Sequence, residues 1–200
     1  MLEKYLVKYC SPTLASLKSG SLFNYRCPEN ADLEQTISEW NSALMPRGIS
    51  ICLLRRTDAA ALIYVYRRSA LEDTLCNPEI QSFLDHYGYD VCNCCQGCTS
   101  DQCRIENCLK HLETRLCSGE SGAETEFPHE IGIFLGYPLE DVTGFISNKG
   151  HNCKYTGTWK VYGDASSAKK TFSKFRKCND VYDRLWKSGR RSVLQLTVAG

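Results

Sequence analysis

No run in this 200-residue chain approaches the ~18 consecutive apolar residues of a membrane-spanning helix. Met1 to Tyr9 carries Glu3, Lys4 and Lys8 and so has no signal-peptide core, which makes a cytoplasmic protein with no membrane partner the expectation. Bulk charge is also missing. A formal net charge of +1 gives no overall electrostatic drive toward nucleic acid. Neither GxxxxGKS/T nor GxGxxG occurs, which excludes the two common glycine-rich phosphate loops. There is no internal repeat and no low-complexity tract, so one globular domain spanning 1–200 is expected, long enough to bury about two-thirds of its unfolded surface.

What the chain has is cysteine, thirteen in all. In a reducing compartment, clustered cysteines more often bind metal or do redox work than form a disulfide framework, and the odd number argues the same way. Cys92, Cys94, Cys95, Cys98, Cys103 and Cys108 fall within seventeen residues. Cys95-x-x-Cys98 has the gap that lets a loop wrap one ion, and Cys95, Cys98, Cys103 and Cys108 form the best ligand set, for zinc or an iron–sulfur cluster. The later spacings match neither a zinc ribbon nor a ferredoxin run. A redox-active thiol loop and cysteines with no role remain open alternatives.

Local patterning predicts an α/β (α+β) domain: a small central mixed sheet containing an antiparallel hairpin, covered by several helices. Ile49 to Arg55 and Ala61 to Arg67 are apolar and β-branched around a polar turn, and give the hairpin. Leu33, Ile37, Trp40 and Leu44 mark an amphipathic helix. Asn77 and Asp164 read as helix caps, and Ile105, Leu109, Leu112 and Leu116 as a further helix. Ile131 to Leu135 reads as a buried strand closed by Gly136-Tyr137-Pro138, leading through a helix from Leu139 to a second strand at Gly157 to Tyr162 by a parallel crossover. Pro12 is expected to start a new helix capped by Ser11, Asn179 to start another, and Val193 to Val198 to form an edge strand. A cysteine-rich insertion at about 90–108 and a flexible loop at about 118–126 complete this picture.

Three residues outside the cysteine cluster could do chemistry: Lys18, Cys10 and His129. Lys18 could hold an anion or, if buried, act as an activated amine; a solvated lysine at a helix end is the plain alternative. Cys10 would need a nearby His or helix N-terminus to be a nucleophile and is otherwise a small buried hydrophobe. His129 could act as a base beside Glu130, although neighbours on extended backbone point to opposite faces. From Asp164 to Arg191 there are nine basic residues against three acidic ones, and the helix around Lys169 to Lys177 is either a solvated face or a dock for an acidic protein. Nucleic acid is disfavoured there, because Phe172 and Phe175 fall on the buried stripe.

Tyr9-Cys10-Ser11-Pro12-Thr13-Leu14-Ala15-Ser16-Leu17-Lys18, Phe127 to Pro138, and Trp159-Lys160-Val161-Tyr162 followed by the Phe172–Cys178 helix together resemble the bacterial family called domain of unknown function thirty-seven ninety-three. The resemblance spans nearly the whole chain. It implies a small cytosolic protein of anaerobic bacteria and a flavodoxin-like, acidic redox partner, but it supplies no catalytic residues. The Cys92–Cys108 segment looks like an elaboration of a shorter linker in that family. The leading expectation is therefore an accessory protein of anaerobic redox or sulfur/metal metabolism using clustered thiolates. A small-molecule enzyme with a pocket near Lys18, Cys10 and His129, and a non-catalytic protein-binding module, are the alternatives.

Overall fold

A computed structural model describes residues 2–26, 32–57, 60–91, 101–118 and 127–199. In chain order they form α1 (Leu2–Leu14), β1 (Gly20–Tyr25), α2 (Leu33–Leu44), β2 (Ile49–Arg56), β3 (Ala61–Arg67), α3 (Arg68–Leu75), α4 (Pro78–Asp85), α5 (Asp101–Ser118), α6 (Ile131–Phe134), α7 (Leu139–Ser147), β4 (Tyr155–Thr156), β5 (Lys160–Val161), α8 (Ala165–Lys187) and α9 (Val193–Leu196). The class is α+β, as the patterning predicts. The loop expected at about 118–126 and the first half of the cysteine-rich insertion, with Cys92, Cys94, Cys95 and Cys98, lie outside the described residues. Among the described residues, no helix is long and apolar enough to cross a membrane.

β3 is the axis of the fold. All seven of its residues are buried, because it is the middle strand of the sheet β1-β3-β2 and is covered on both faces. Ala61, Ile63 and Val65 point into a core shared with α1, α2 and the Val193 segment. Leu62, Tyr64 and Tyr66 point the other way, into a core built with α3, α4, α5, α6 and α7. One strand thus serves two apolar layers by simple alternation.

Both pairings of this sheet are antiparallel, so it is not the mixed sheet expected. The difference comes from Ile131–Leu135, which is a helical turn and not a strand. Five apolar residues carry no readable period, and what decides is Gly136: at φ +72° it closes a Schellman cap, with Gly136 N–H donating to Ile133 O and Tyr137 N–H to Gly132 O, both at 2.9 Å. The Trp159 segment consequently has no central strand to join, and β4 and β5 pair with each other as a separate two-stranded hairpin.

Three further expectations change. α1 runs through Pro12 without a break. The N–H that proline lacks would have bonded the carbonyl of Lys8, an exposed residue, so the cost is small this close to the helix end. α8 continues past Asn179 for 23 residues in all. Val193–Leu196 is a helical turn with a capping box between Ser192 and Gln195, not an edge strand. The caps at Asn77 and Asp164 stand as expected, each side chain accepting from two backbone N–H groups.

Candidate functional site

α1 ends at Leu14, four residues earlier than the sequence suggests, and a loop after it carries Lys18 inward. Leu17 N–H donates to Pro12 O at 2.8 Å and Ser16 N–H to Thr13 O at 3.2 Å, a Schellman cap with Ser16 in the left-handed position at φ +60°. This reversal sends Lys18 and Ser19 back across the end of the sheet, where Ser19 O accepts from Arg67 N–H at 2.8 Å. Gly136 packs on Ser19 so closely that a Cβ there would lie 2.8 Å from the Ser19 hydroxyl oxygen.

Between this loop, the β3–α3 junction, the Gly136 turn and α8 lies a cavity of about 220 Å³. Ser16, Lys18, Ser19, Arg67 and Thr171 supply its polar groups and Trp159 and Phe175 part of its apolar wall; among the described residues, no carboxylate lines it. Lys18 is half-buried, with its ammonium 5.3 Å from the centre of the Tyr137 ring. Burial pulls its pKa down to about 8, an effect that the nearby Cys10 thiol only partly offsets. Neither Lys18 nor Arg67 has a carboxylate partner among the described residues.

Arg67 is 2% exposed. Its Nε donates to Thr13 O at 2.8 Å, and its Nη2 to Leu14 O and Val198 O, both at 2.7 Å. The guanidinium therefore caps the C-terminal carbonyls of α1, a structural duty that suits a cation at that end of the helix dipole. That duty leaves Nη1 over. It is buried and has no hydrogen-bond partner among the described residues, which is rare for a charged donor in a folded protein.

A second cavity of about 330 Å³ lies beside the first, and Trp159 lines both. His129, Tyr137, Phe145 and Trp159 provide its aromatic lining, with Asp141 and Lys160 also on its walls. Tyr137 stacks on Trp159 at 4.7 Å between centroids, and His129 meets Phe145 edge-on at 4.8 Å. Asp141 holds the wall in place: Oδ2 accepts from the Trp159 indole N–H at 2.7 Å, and Oδ1 from the backbone N–H groups of Tyr162 (2.7 Å) and Gly163 (2.8 Å). This carboxylate fixes the hairpin that carries Trp159 and is fully occupied in doing so.

The sequence-predicted catalytic residues divide accordingly. Lys18 and Cys10 are neighbours. Cys10 is wholly enclosed, and burial holds its thiol protonated well above the usual range. His129 lines the aromatic cavity and not the Lys18 chamber, while Trp159 lines both. Its neighbour Glu130 points away into the core, 1% exposed, paired with Arg115 and accepting from the Tyr89 hydroxyl at 3.2 Å. Sequence reasoning missed Arg67, although an arginine closing a wholly apolar strand was a signal that it would be buried.

Of the expected metal ligands, Cys95 and Cys98 lie outside the described residues. Cys103 and Cys108 both sit on α5, five positions and therefore about 140° apart around the helix. Cys108 faces the core at 1% exposure, and Cys103 is half-buried and accepts from the Asn107 amide at 3.7 Å. Among the described residues, no three of His, Cys, Asp and Glu are grouped so as to hold an ion. On α8, Lys169, Lys170, Lys174, Arg176 and Lys177 are all exposed.

Neither curated proteins nor solved structures provide a match to the chain. A family does, over residues 6–197, a span that takes in α1 from Leu6 onward, the Lys18 loop, Arg67, the Gly136 turn and the Trp159 hairpin. By that match the chain belongs to the family described as protein of unknown function (DUF3793).

Proposed function

We propose that this protein binds a small organic anion, a carboxylate or a phosphate, in the chamber between the Lys18 loop and α8. The observation that carries this reading is Arg67, a permanent cation 2% exposed that lines the cavity and whose Nη1 has no partner among the described residues, beside a second lining cation and, among the described residues, no acid. A charged donor left unsatisfied in the interior costs free energy, and an anionic ligand would recover it through a charge-assisted hydrogen bond. Lys18 adds a second attraction, and Ser16, Ser19 and Thr171 offer hydroxyls for orientation. A volume of about 220 Å³ lies below the usual range for drug-sized ligands and suits a metabolite of a few heavy atoms.

The test is calorimetric titration with phosphate and with a set of two- to five-carbon carboxylates at low ionic strength. Binding that disappears in Lys18→Met and weakens on raising the pH through 8 supports the reading. Absence of saturable binding by every anion in the set overturns it.

A second reading, docking of an acidic protein, is favoured by one observation, the run of five exposed cations on α8 between Lys169 and Lys177. Charge reversal at Lys170 and Lys174 should lower the association rate with such a partner and flatten its salt dependence.

A further inference from the structure

The Lys18 amine has a property that anion binding alone does not use. It is a primary amine held half-buried in a chamber, with no carboxylate among the described residues beside it to keep it protonated, facing a site whose permanent cation is a different residue. We propose that Lys18 captures the carbonyl of a small 2-oxo acid as a Schiff base while Arg67 holds the acid's carboxylate. The inference rests on the anion-binding reading and names the substrate class for that same chamber.

The division of labour follows from the chemistry of the two cations. A guanidinium remains charged at any physiological pH and presents a planar set of N–H donors that matches a carboxylate; Nη1 is the donor left over here. An ammonium can lose its proton, and desolvation favours that loss. With a pKa pulled down to about 8, roughly a tenth of Lys18 is the free amine at neutral pH, against well under one part in a thousand for an ordinary lysine. Cys10 does not compete as the nucleophile, because it is wholly enclosed and its thiol stays protonated.

The step balances without an external oxidant or reductant. The lone pair of neutral Nζ attacks the carbonyl carbon, the C=O π pair moves to oxygen, and that oxygen takes up a proton. The resulting carbinolamine then expels its hydroxyl as water once that hydroxyl takes back the proton the ammonium first released, the nitrogen pair forming the C=N bond. The net change turns one ammonium and one ketone or aldehyde into one iminium and one water. The hydroxyls of Ser16, Ser19 and Thr171 lie on the same chamber and can relay the proton between nitrogen and oxygen. The iminium keeps the positive charge that the ammonium had, so the chamber's electrostatics are the same before and after capture.

The experiment uses the full chain, with pyruvate and glyoxylate as probes and cyanoborohydride to reduce any imine to a stable secondary amine, read by peptide mass spectrometry. Propionaldehyde, which carries no anionic group, is the control for general lysine labelling, and lactate, which has the carboxylate but no carbonyl, is the control for binding. The expected result is adduct on Lys18 at least tenfold faster than on any other lysine with the 2-oxo acids, a clearly smaller preference with propionaldehyde, which keeps only the advantage of the lowered amine pKa, competition by lactate, and a rate that rises to a plateau with its midpoint near pH 8. Lys18→Arg keeps a positive charge on the chamber but has no primary amine, and should abolish the adduct. Lactate binding without selective labelling of Lys18 overturns the covalent step and leaves the anion site standing. Equal labelling of all lysines, with no binding of lactate, phosphate or any other carboxylate in the set, overturns both.

Discussion

The indole N–H of Trp159 and the Oδ2 of Asp141 are 2.7 Å apart, and through that bond one buried carboxylate on α7 positions the aromatic residue that two cavities share. Asp141→Ala removes three charge-assisted hydrogen bonds and leaves backbone donors of Tyr162 and Gly163 unpaired. The expected loss is on the order of 3 kcal/mol of stability, seen as a lower thermal midpoint together with a shift in tryptophan emission. An unchanged midpoint would mean that the hairpin is held by something other than this carboxylate.

Lys18 gives a pH signature of definite sign. Its native pKa of about 8 is below the unfolded value of 10.5, so between those values the unfolded chain binds more protons and stability rises with pH. Below pH 8 the cost of burying the charge is fully present. Lys18→Met should therefore raise stability at pH 7, by about 1–2 kcal/mol once solvent screening of a half-buried amine is allowed for, and the gain should vanish by pH 10.5. Denaturant melts of both proteins at pH 7, 9 and 10.5 read this directly, and a gain that does not change with pH would contradict it.

Ser16 holds a left-handed backbone conformation that disfavours any residue with a Cβ. Ser16→Gly should relieve this and stabilise the cap by up to about 1 kcal/mol, with the denaturant slope unchanged. Anion binding should persist in this variant if the hydroxyl is only an orienting group, with a modest change in affinity.

Gly20 begins β1 where the strand passes under α6. A Cβ there would lie 2.6 Å from the Tyr64 hydroxyl and 2.8 Å from the backbone oxygen of Phe134, which accepts that hydroxyl's hydrogen bond. Gly20→Ala should cost about 2 kcal/mol through forced separation of the layers. Tyr64→Phe in the same background should recover part of this by removing the oxygen in the way, and a double-mutant cycle measures the coupling.

The parts of the fold legible in the sequence are those whose pattern is longer than one helical turn or whose cap is chemically explicit. The β2–β3 hairpin, α2, and the caps at Asn77 and Asp164 belong to this group. Ile131–Leu135 is not legible, because five consecutive apolar residues fit a buried strand and a buried helical turn equally well. The deciding fact, the left-handed Gly136, is a property of the turn and not of the run. Asn179 reads as a cap because asparagine usually favours caps, yet packing of α8 against α1 and the Trp159 hairpin carries the helix through it.

At the site, Lys18 can be picked out because its two alternatives, solvated or buried, are both stateable from one position. Arg67 cannot, since its importance comes from meeting the end of α1 and the backbone at Val198, 53 and 131 residues away along the chain. Grouping His129 with Lys18 requires long-range geometry that no local pattern encodes; the two line different, adjoining cavities.

The stretch after α9 is gripped by its backbone: Leu196 O accepts from the Tyr182 hydroxyl, Thr197 O from Arg47, Val198 O from Arg67, and Val198 N–H donates to Leu14 O. Such an attachment is nearly blind to side-chain identity and strict about spacing. Substitutions at the exposed Val198 should be absorbed easily, whereas deleting or inserting a single residue would shift every carbonyl by one place and turn the guanidinium that frames the chamber out of alignment.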